Sequence, residues 1–429
     1  SDVCSSDLNR ILNEAFLRSQ FTHLPNNKWY RFGDAFRIGK NETYHTVQDA
    51  GTLINFRKFA LLGDPALLPD FPQYTVVTDS IKNSSSSSVV DTLSALGSYM
   101  VYGSVRGDNG EVLTDFNGKL YVSFYDKPRT TNVTTYYGNK SFQTQNNIIY
   151  KGKATVTNGQ FSYAFIVPKD INYEFGKGKL SSYAENGITD AAGADTTFSI
   201  GGYSDNPVTD NVAPIVKPYI GDSLFKDGGI TGPNTLLYVS LEDEIGINVS
   251  GNAVGHDLTA VMDGDIEVPY ILNHYYETEP NTYQRGHVYF PLNGLSVGKH
   301  TIVVKAWDVN NNSGEGVVNF EVVDGAIVKV QDLINYPNPF KDVTHFFFEH
   351  NHPGEALDVE INIYSTAGVA VRKIRQSFTP TNSRSNEITW DGTSDRGAKL
   401  PAGVYVYRVN IATATGAQSS AYQKLVLLR

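Results

Sequence analysis

Leu120-Tyr121-Val122-Ser123-Phe124-Tyr125 sets Leu120, Val122 and Phe124 on one side of an extended chain and Tyr121, Ser123 and Tyr125 on the other. Side chains of a strand alternate between its faces, so this two-residue period predicts a strand with one face on a core. Phe161, Tyr163, Phe165 and Val167 repeat the pattern just after Asn158-Gly159, a pair suited to a two-residue hairpin turn. The same grammar recurs at Leu237, Val239 and Leu241, at Ile302, Val304 and Ala306, and at Val318, Phe320 and Val322. It continues at Val359, Ile361 and Ile363 and at Tyr405, Tyr407 and Val409. A last strand, Tyr422 to Leu428, places Tyr422, Lys424 and Val426 opposite Gln423, Leu425 and Leu427. The fold class predicted is mainly β, built of tandem immunoglobulin-like sandwiches.

Outward from these strands, 429 residues exceed one ordinary core, and several domains are expected. The composition changes after Pro72, at the Pro-bounded stretch Asn206-Pro207 to Pro214, and near Asp324. The division predicted is 1–73, the end of an α/β domain; 74–206, a β-sandwich; 207–323, an immunoglobulin-like sandwich; and 324–429, a terminal immunoglobulin-like sandwich. Within the first part, Leu8, Ile11, Leu12, Ala15, Phe16 and Ser19 have helical spacing, so a helix over 8–20 is predicted, with Ser6 or Asp7 as its N-cap. A second helix carrying Phe32, Ala35 and Phe36 should end near Gly39 and Asn41. Phe59-Ala60-Leu61-Leu62 reads as a buried strand stopped by the Gly63-Asp64-Pro65 turn, and Ser84 to Ser88 as a loop.

A formal charge of −10, with no Lys/Arg stripe to offset it, argues against nucleic acid as a partner. The single cysteine, Cys4, excludes a disulfide within the chain. No apolar run reaches the length of a spanning helix, and no signal-peptide pattern opens the chain. Because it starts at Ser1 and enters a helical pattern at once, the expectation is a fragment of a longer protein.

A cysteine peptidase needs a thiolate beside an imidazole and backbone N–H groups aimed at the oxyanion. Cys4 lies in a polar terminal stretch with no strand to fix it, and His23 and His45 are the nearest histidines. No catalytic residue is therefore assigned, and His23 and His45 are read as surface or helix-end residues. Asp308, Asn310, Asn312 and Glu315 have an oxygen-rich spacing like the start of a calcium loop; the alternative is a hairpin turn, since no later bidentate acid completes the loop. Asp308, Asn310 and Asn312 remain the metal candidates. Arg106-Gly107-Asp108 spells an integrin-binding tripeptide but also suits a turn, as do Asp263-Gly264-Asp265, Trp390-Asp391-Gly392 and Asp395-Arg396-Gly397. No Walker loop, dinucleotide fingerprint, zinc spacing or Ser/His/Asp order is present, so no cofactor is predicted.

Three groups of segments carry a resemblance. Lys58-Phe59-Ala60-Leu61-Leu62-Gly63-Asp64-Pro65-Ala66-Leu67 resembles the closing strand and turn of the gingipain-family cysteine peptidase domain, which is of caspase-like α/β type. Tyr150-Lys151-Gly152-Lys153-Ala154, Val167-Pro168-Lys169-Asp170-Ile171-Asn172-Tyr173 and Gly255-His256-Asp257-Leu258-Thr259-Ala260 resemble modules that follow this domain in type IX secretion sortases. Asn335-Tyr336-Pro337-Asn338-Pro339-Phe340, Trp390-Asp391-Gly392 and Pro401-Ala402-Gly403-Val404-Tyr405 resemble the immunoglobulin-like sorting domain of type IX cargo. The resemblance runs from about Asn9 onward and implies part of a surface-attached, outer-membrane-associated cysteine endopeptidase, exported through the periplasm. That enzyme would remove sorting domains from cargo and help join the cargo to lipopolysaccharide. Its implied partners are type IX outer-membrane components and cargo sorting domains, and its His and Cys pair would lie upstream, since no residue here matches it. The alternative is a non-enzymatic adhesin or another cargo protein built of the same sandwiches.

Overall fold

A computed structural model describes residues 5–22, 24, 29–46, 57–136, 138–251, 255–324 and 327–428, without the side chains of residues 5–7 and 46. It divides into two compact units, Ser1–Gln73 and Tyr74–Arg429.

The first unit holds two helices, α1 (Ser5–Gln20) and α2 (Phe32–Thr46). Leu8, Leu12 and Ala15 of α1 are buried with Ala35 of α2, and Phe16 meets Phe36 edge-on at 6.4 Å. Both helices exceed the predicted bounds. The N-cap expected of Ser6 or Asp7 falls among side chains outside those described. Gly39 does not end α2: a Cβ there would sit 3.2 Å from Leu12 O and from Phe16 N, so glycine lets the two helices touch. A residue that reads as a stop is a packing residue. Phe59 to Leu62 is not a strand, and Leu62 is 94% exposed. An apolar run becomes a strand only where a neighbour accepts its ladder, and among the described residues it has none. The turn after it does form: Asp64 Oδ1 accepts Ala66 N at 2.8 Å, and Pro65 O accepts Gly33 N at 2.9 Å.

In the second unit, three hydrophobic clusters lie between pairs of sheets, as in sandwiches. The first pair is a seven-stranded sheet and a three-stranded sheet, with Leu120, Val122, Phe124, Phe161, Tyr163 and Phe165 inside. Asn158 and Gly159, at φ 50° and 72°, form the tight turn expected of them. That turn joins the two outermost strands of the seven-stranded sheet, Ile148–Val156 and Gln160–Ile166, so the sheet is curled until its edges meet. The second pair is of four and five strands; Leu237, Val239, Leu241, Ile302, Val304, Ala306, Val318, Phe320 and Val322 fill it. In the third, sheets of three and four strands enclose Trp390, Val359, Ile361, Ile363, Tyr405, Tyr407 and Val409. Every alternating run read from the sequence turns its apolar face inward. A further ribbon, Arg129–Thr135 with Gly138–Thr144, forms a two-stranded sheet of its own. No described helix is long and apolar enough to cross a membrane, which says nothing of membrane β-barrels.

Candidate functional site

Polar side chains concentrate where the first sandwich meets the second. Asp170 follows the strand Gln160–Ile166, and its side chain is 8% exposed. Its Oδ2 is 2.7 Å from His256 Nδ1 and accepts Asn248 Nδ2 at 2.9 Å, while Oδ1 accepts Asn311 Nδ2 at 2.7 Å. A carboxylate only accepts, so the His256 proton sits on Nδ1. The ring lies against Trp307 at 4.3 Å. Asn248 is fully buried, and its other end accepts Ser250 N and Oγ. Two segments that resemble one family, Val167–Tyr173 and Gly255–Ala260, therefore touch through Asp170 and His256. Nothing in the sequence pairs residues 86 positions apart. The pair, with Asn248 and Asn311 on the same carboxylate, ties together segments of the first two sandwiches.

Beside it lies a group of carboxylates. Asp308 begins the hairpin between the strands Gly298–Trp307 and Ser313–Val322, Asp243 follows the strand Thr235–Glu242, and Asp210 sits in the linker before Ile215. One oxygen from each lies within 4.8 Å of the others. Asp308 is fully buried and accepts Asn312 N and Nδ2, both at 2.7 Å. Asp243 Oδ1 accepts Ile245 N and Gly246 N at 2.8 and 3.0 Å. Burial, with the charges of Asp308 and Asp210 adding to it, pushes the Asp243 carboxyl up to about 6, and burial also raises Asp308. Asn310 Nδ2 donates to Val208 O and Asn312 Nδ2 to Asp210 O, both at 3.1 Å, so the two asparagines tether the linker. The hairpin geometry weighed against a calcium loop is thus present, and Asp308 has two acidic neighbours that lie 65 and 98 residues before it. Their aspartates carried no local signal in the sequence. Ile166, Ile245 and Val309 form an apolar plug next to the carboxylates. Cys4 and His23 lie outside the described residues, and His45 is exposed in the last turn of α2. Arg106 pairs with Asp79 at 2.6 Å at the start of a turn closed by Gly107 N to Glu111 O.

The third sandwich gathers its distinctive segments on one strand, Gln418–Leu427. Phe340 N donates to Val426 O and Leu428 N to Phe340 O, at 3.0 and 2.7 Å. Asn338 accepts Val426 N at 2.8 Å and donates to Lys424 O at 3.1 Å. Trp390 packs on Phe340 at 5.5 Å, and Gly392, at φ 73°, would bring a Cβ to 3.3 Å from Leu427. Tyr405, whose hydroxyl donates to Pro401 O at 2.7 Å, pairs with Leu425. A strand placed at a sheet edge is thus held along its C-terminal half by Asn338 and Phe340.

This arrangement defines a chain of β-sandwich modules whose junctions are pinned by polar side chains. The FlgD Ig-like domain family matches residues 336–416. No curated protein matches the sequence. Among solved structures, the chain is similar to dimeric latent PorU from Porphyromonas gingivalis, at 28% identity and a TM-score of 0.39, over 96% of this chain and 39% of that one. The chain thus spans well under half the length of that protein. It is also similar to a tetra-tandem repeat in the extending region of a large adhesion protein, at 13% identity and a TM-score of 0.18, over 82% of this chain and 74% of that one. Fibronectin(III)-like modules of Clostridium thermocellum CbhA align over 50% of this chain and 93% of theirs, at 11% identity and a TM-score of 0.20.

Proposed function

We propose that the chain is the non-catalytic C-terminal portion of a PorU-like cell-surface sortase, a cysteine endopeptidase of the gingipain family. The parent enzyme would cleave sorting domains from type IX cargo and help attach the cargo to lipopolysaccharide. The observation that carries this reading is the occurrence in one chain of Lys58–Leu67, of Val167–Tyr173 with Gly255–Ala260, and of Asn335–Phe340 with Trp390–Gly392 and Pro401–Tyr405. The last group alone would suit any type IX cargo; the first two narrow it. In this reading the first two sandwiches are a scaffold pinned at Asp170, and the third is the export module, engaged by type IX outer-membrane components. The protein then reaches the outer-membrane surface through the periplasm.

The test is removal of Lys424–Arg429 from the full-length protein in a bacterium with type IX secretion. The truncated protein should stay in the periplasm, with the first two sandwiches still resistant to protease. Surface display at the level of the intact protein would overturn the reading, and unfolding of the whole third sandwich, whose core holds Leu425 and Leu427, would favour a purely structural role for the strand.

A further inference from the structure

We propose that Asp210, Asp243 and Asp308 bind a calcium-class divalent cation that fastens the linker between the first two sandwiches. Three carboxylates close together do not by themselves make a site, because hydrogen bonds can satisfy them. Here they do not. Asp210 Oδ2 is buried and has no hydrogen-bond partner, while its other oxygen accepts Val212 N. Asp243 is only 5% exposed, and both of its bonds go to Oδ1; among the described residues, Oδ2 receives none. Burying a carboxylate oxygen without a donor, as at Asp210 Oδ2, is costly, and a cation removes that cost.

Spacing allows one ion to touch all three residues, and the donor set narrows the kind of ion. Two oxygens each about 2.4 Å from one calcium can be no more than about 4.8 Å apart, and the three oxygens meet that limit. All three ligands are hard oxygens with no imidazole or thiolate among them, which suits calcium over zinc or copper. The ligands also come from three separate segments: the linker, the loop after Glu242 and the hairpin at Asp308. Such a site forms only when these segments are together, so the ion would act on the junction. Asn310 and Asn312 already hold the linker through Val208 O and Asp210 O, which leaves Asp210 placed for the ion. This inference is independent of the sortase reading, since any chain with this junction would bind the ion.

The experiment uses the full 429-residue chain stripped with EDTA and titrated with calcium chloride by calorimetry, with thermal midpoints measured with and without calcium. One calcium per chain should bind and the midpoint should rise. Asp210→Asn keeps the side chain's size and relieves the uncompensated carboxylate, so its calcium-free midpoint should lie at or above that of the wild type, with no heat and no midpoint rise on adding calcium; Asp243→Asn should behave alike. Terbium emission excited through Trp307, next to Asp308, should fall several-fold in Trp307→Phe. A folded wild-type chain that gives neither heat nor a midpoint rise at millimolar calcium would overturn the proposal. So would an Asp210→Asn chain that responds as wild type does, or terbium emission unchanged by Trp307→Phe.

Discussion

Two long hairpins of this protein have the same ladder and opposite surroundings. The ribbon Arg129–Thr144 makes seven register pairs, and the pair Gly403–Thr413 with Gln418–Leu427 makes ten. The first is exposed on both faces, with Tyr136 at its tip 97% exposed and Phe142 49% exposed. The second turns Tyr405, Tyr407, Val409, Ile411, Leu425 and Leu427 onto a core. Backbone hydrogen bonds exchange water for protein at a small net gain, so an isolated two-stranded ribbon is marginal. The difference shows that in this chain a strand is secured by the face it buries and only secondarily by its pairing. It also explains why polar groups hold fixed positions in the third sandwich and at the junctions, where packed neighbours surround them.

Matched truncations on the two hairpins should therefore differ widely. Leu427→Ala removes a side chain packed beside Phe340 and Gly392 and should cost about 2–5 kcal/mol in denaturant unfolding of the third sandwich. A loss below about 1 kcal/mol would mean that the core closes over the gap and that the contrast is overstated.

The next effect is set by pH. Burial, and then the neighbouring charge of His352, lowers the His350 imidazole from 6.5 to about 4. The unfolded chain then binds the extra proton first, so stability present above pH 6.5 is lost as pH falls towards 4. The loss should be on the order of 3 kcal/mol, and His350→Leu should flatten that slope in thermal melts recorded from pH 7 to 4. An equal slope in the variant would assign the acid sensitivity elsewhere.

Phe142→Ala, on the exposed ribbon, should change stability by no more than about 0.5 kcal/mol. Amide exchange from Arg129 to Thr144 should be fast in the wild type, in contrast to slow exchange at Tyr407 and Val409. Slow exchange along the ribbon would show that something covers it.

The same contrast separates what the sequence made legible from what it did not. A face that packs on a core leaves a two-residue period, and Leu120–Tyr125, Leu237–Leu241, Ile361 and Tyr407 could be placed from it. Gly39 and Phe59–Leu62 were not legible, because glycine means both a stop and a close approach, and an apolar run does not say whether a neighbouring strand exists. The junction was visible only in part. Asp308 stood out by its local spacing, whereas Asp210, Asp243 and the Asp170–His256 pair depend on segments brought together by the fold. Nor did the alternation at Tyr422–Leu428 show that Asn338 and Phe340 would take up that strand's outer edge, since this contact spans almost 90 residues.

The role proposed for the third sandwich is that of export module of a type IX surface protein. It is tested most directly by fusing Asp324–Arg429 to the C-terminus of a periplasmic reporter in a bacterium with that secretion system, and measuring reporter cleavage by protease added outside intact cells. Surface exposure of the fusion, and none of the reporter alone, is the predicted result; a fusion that stays protected in the periplasm would contradict the claim.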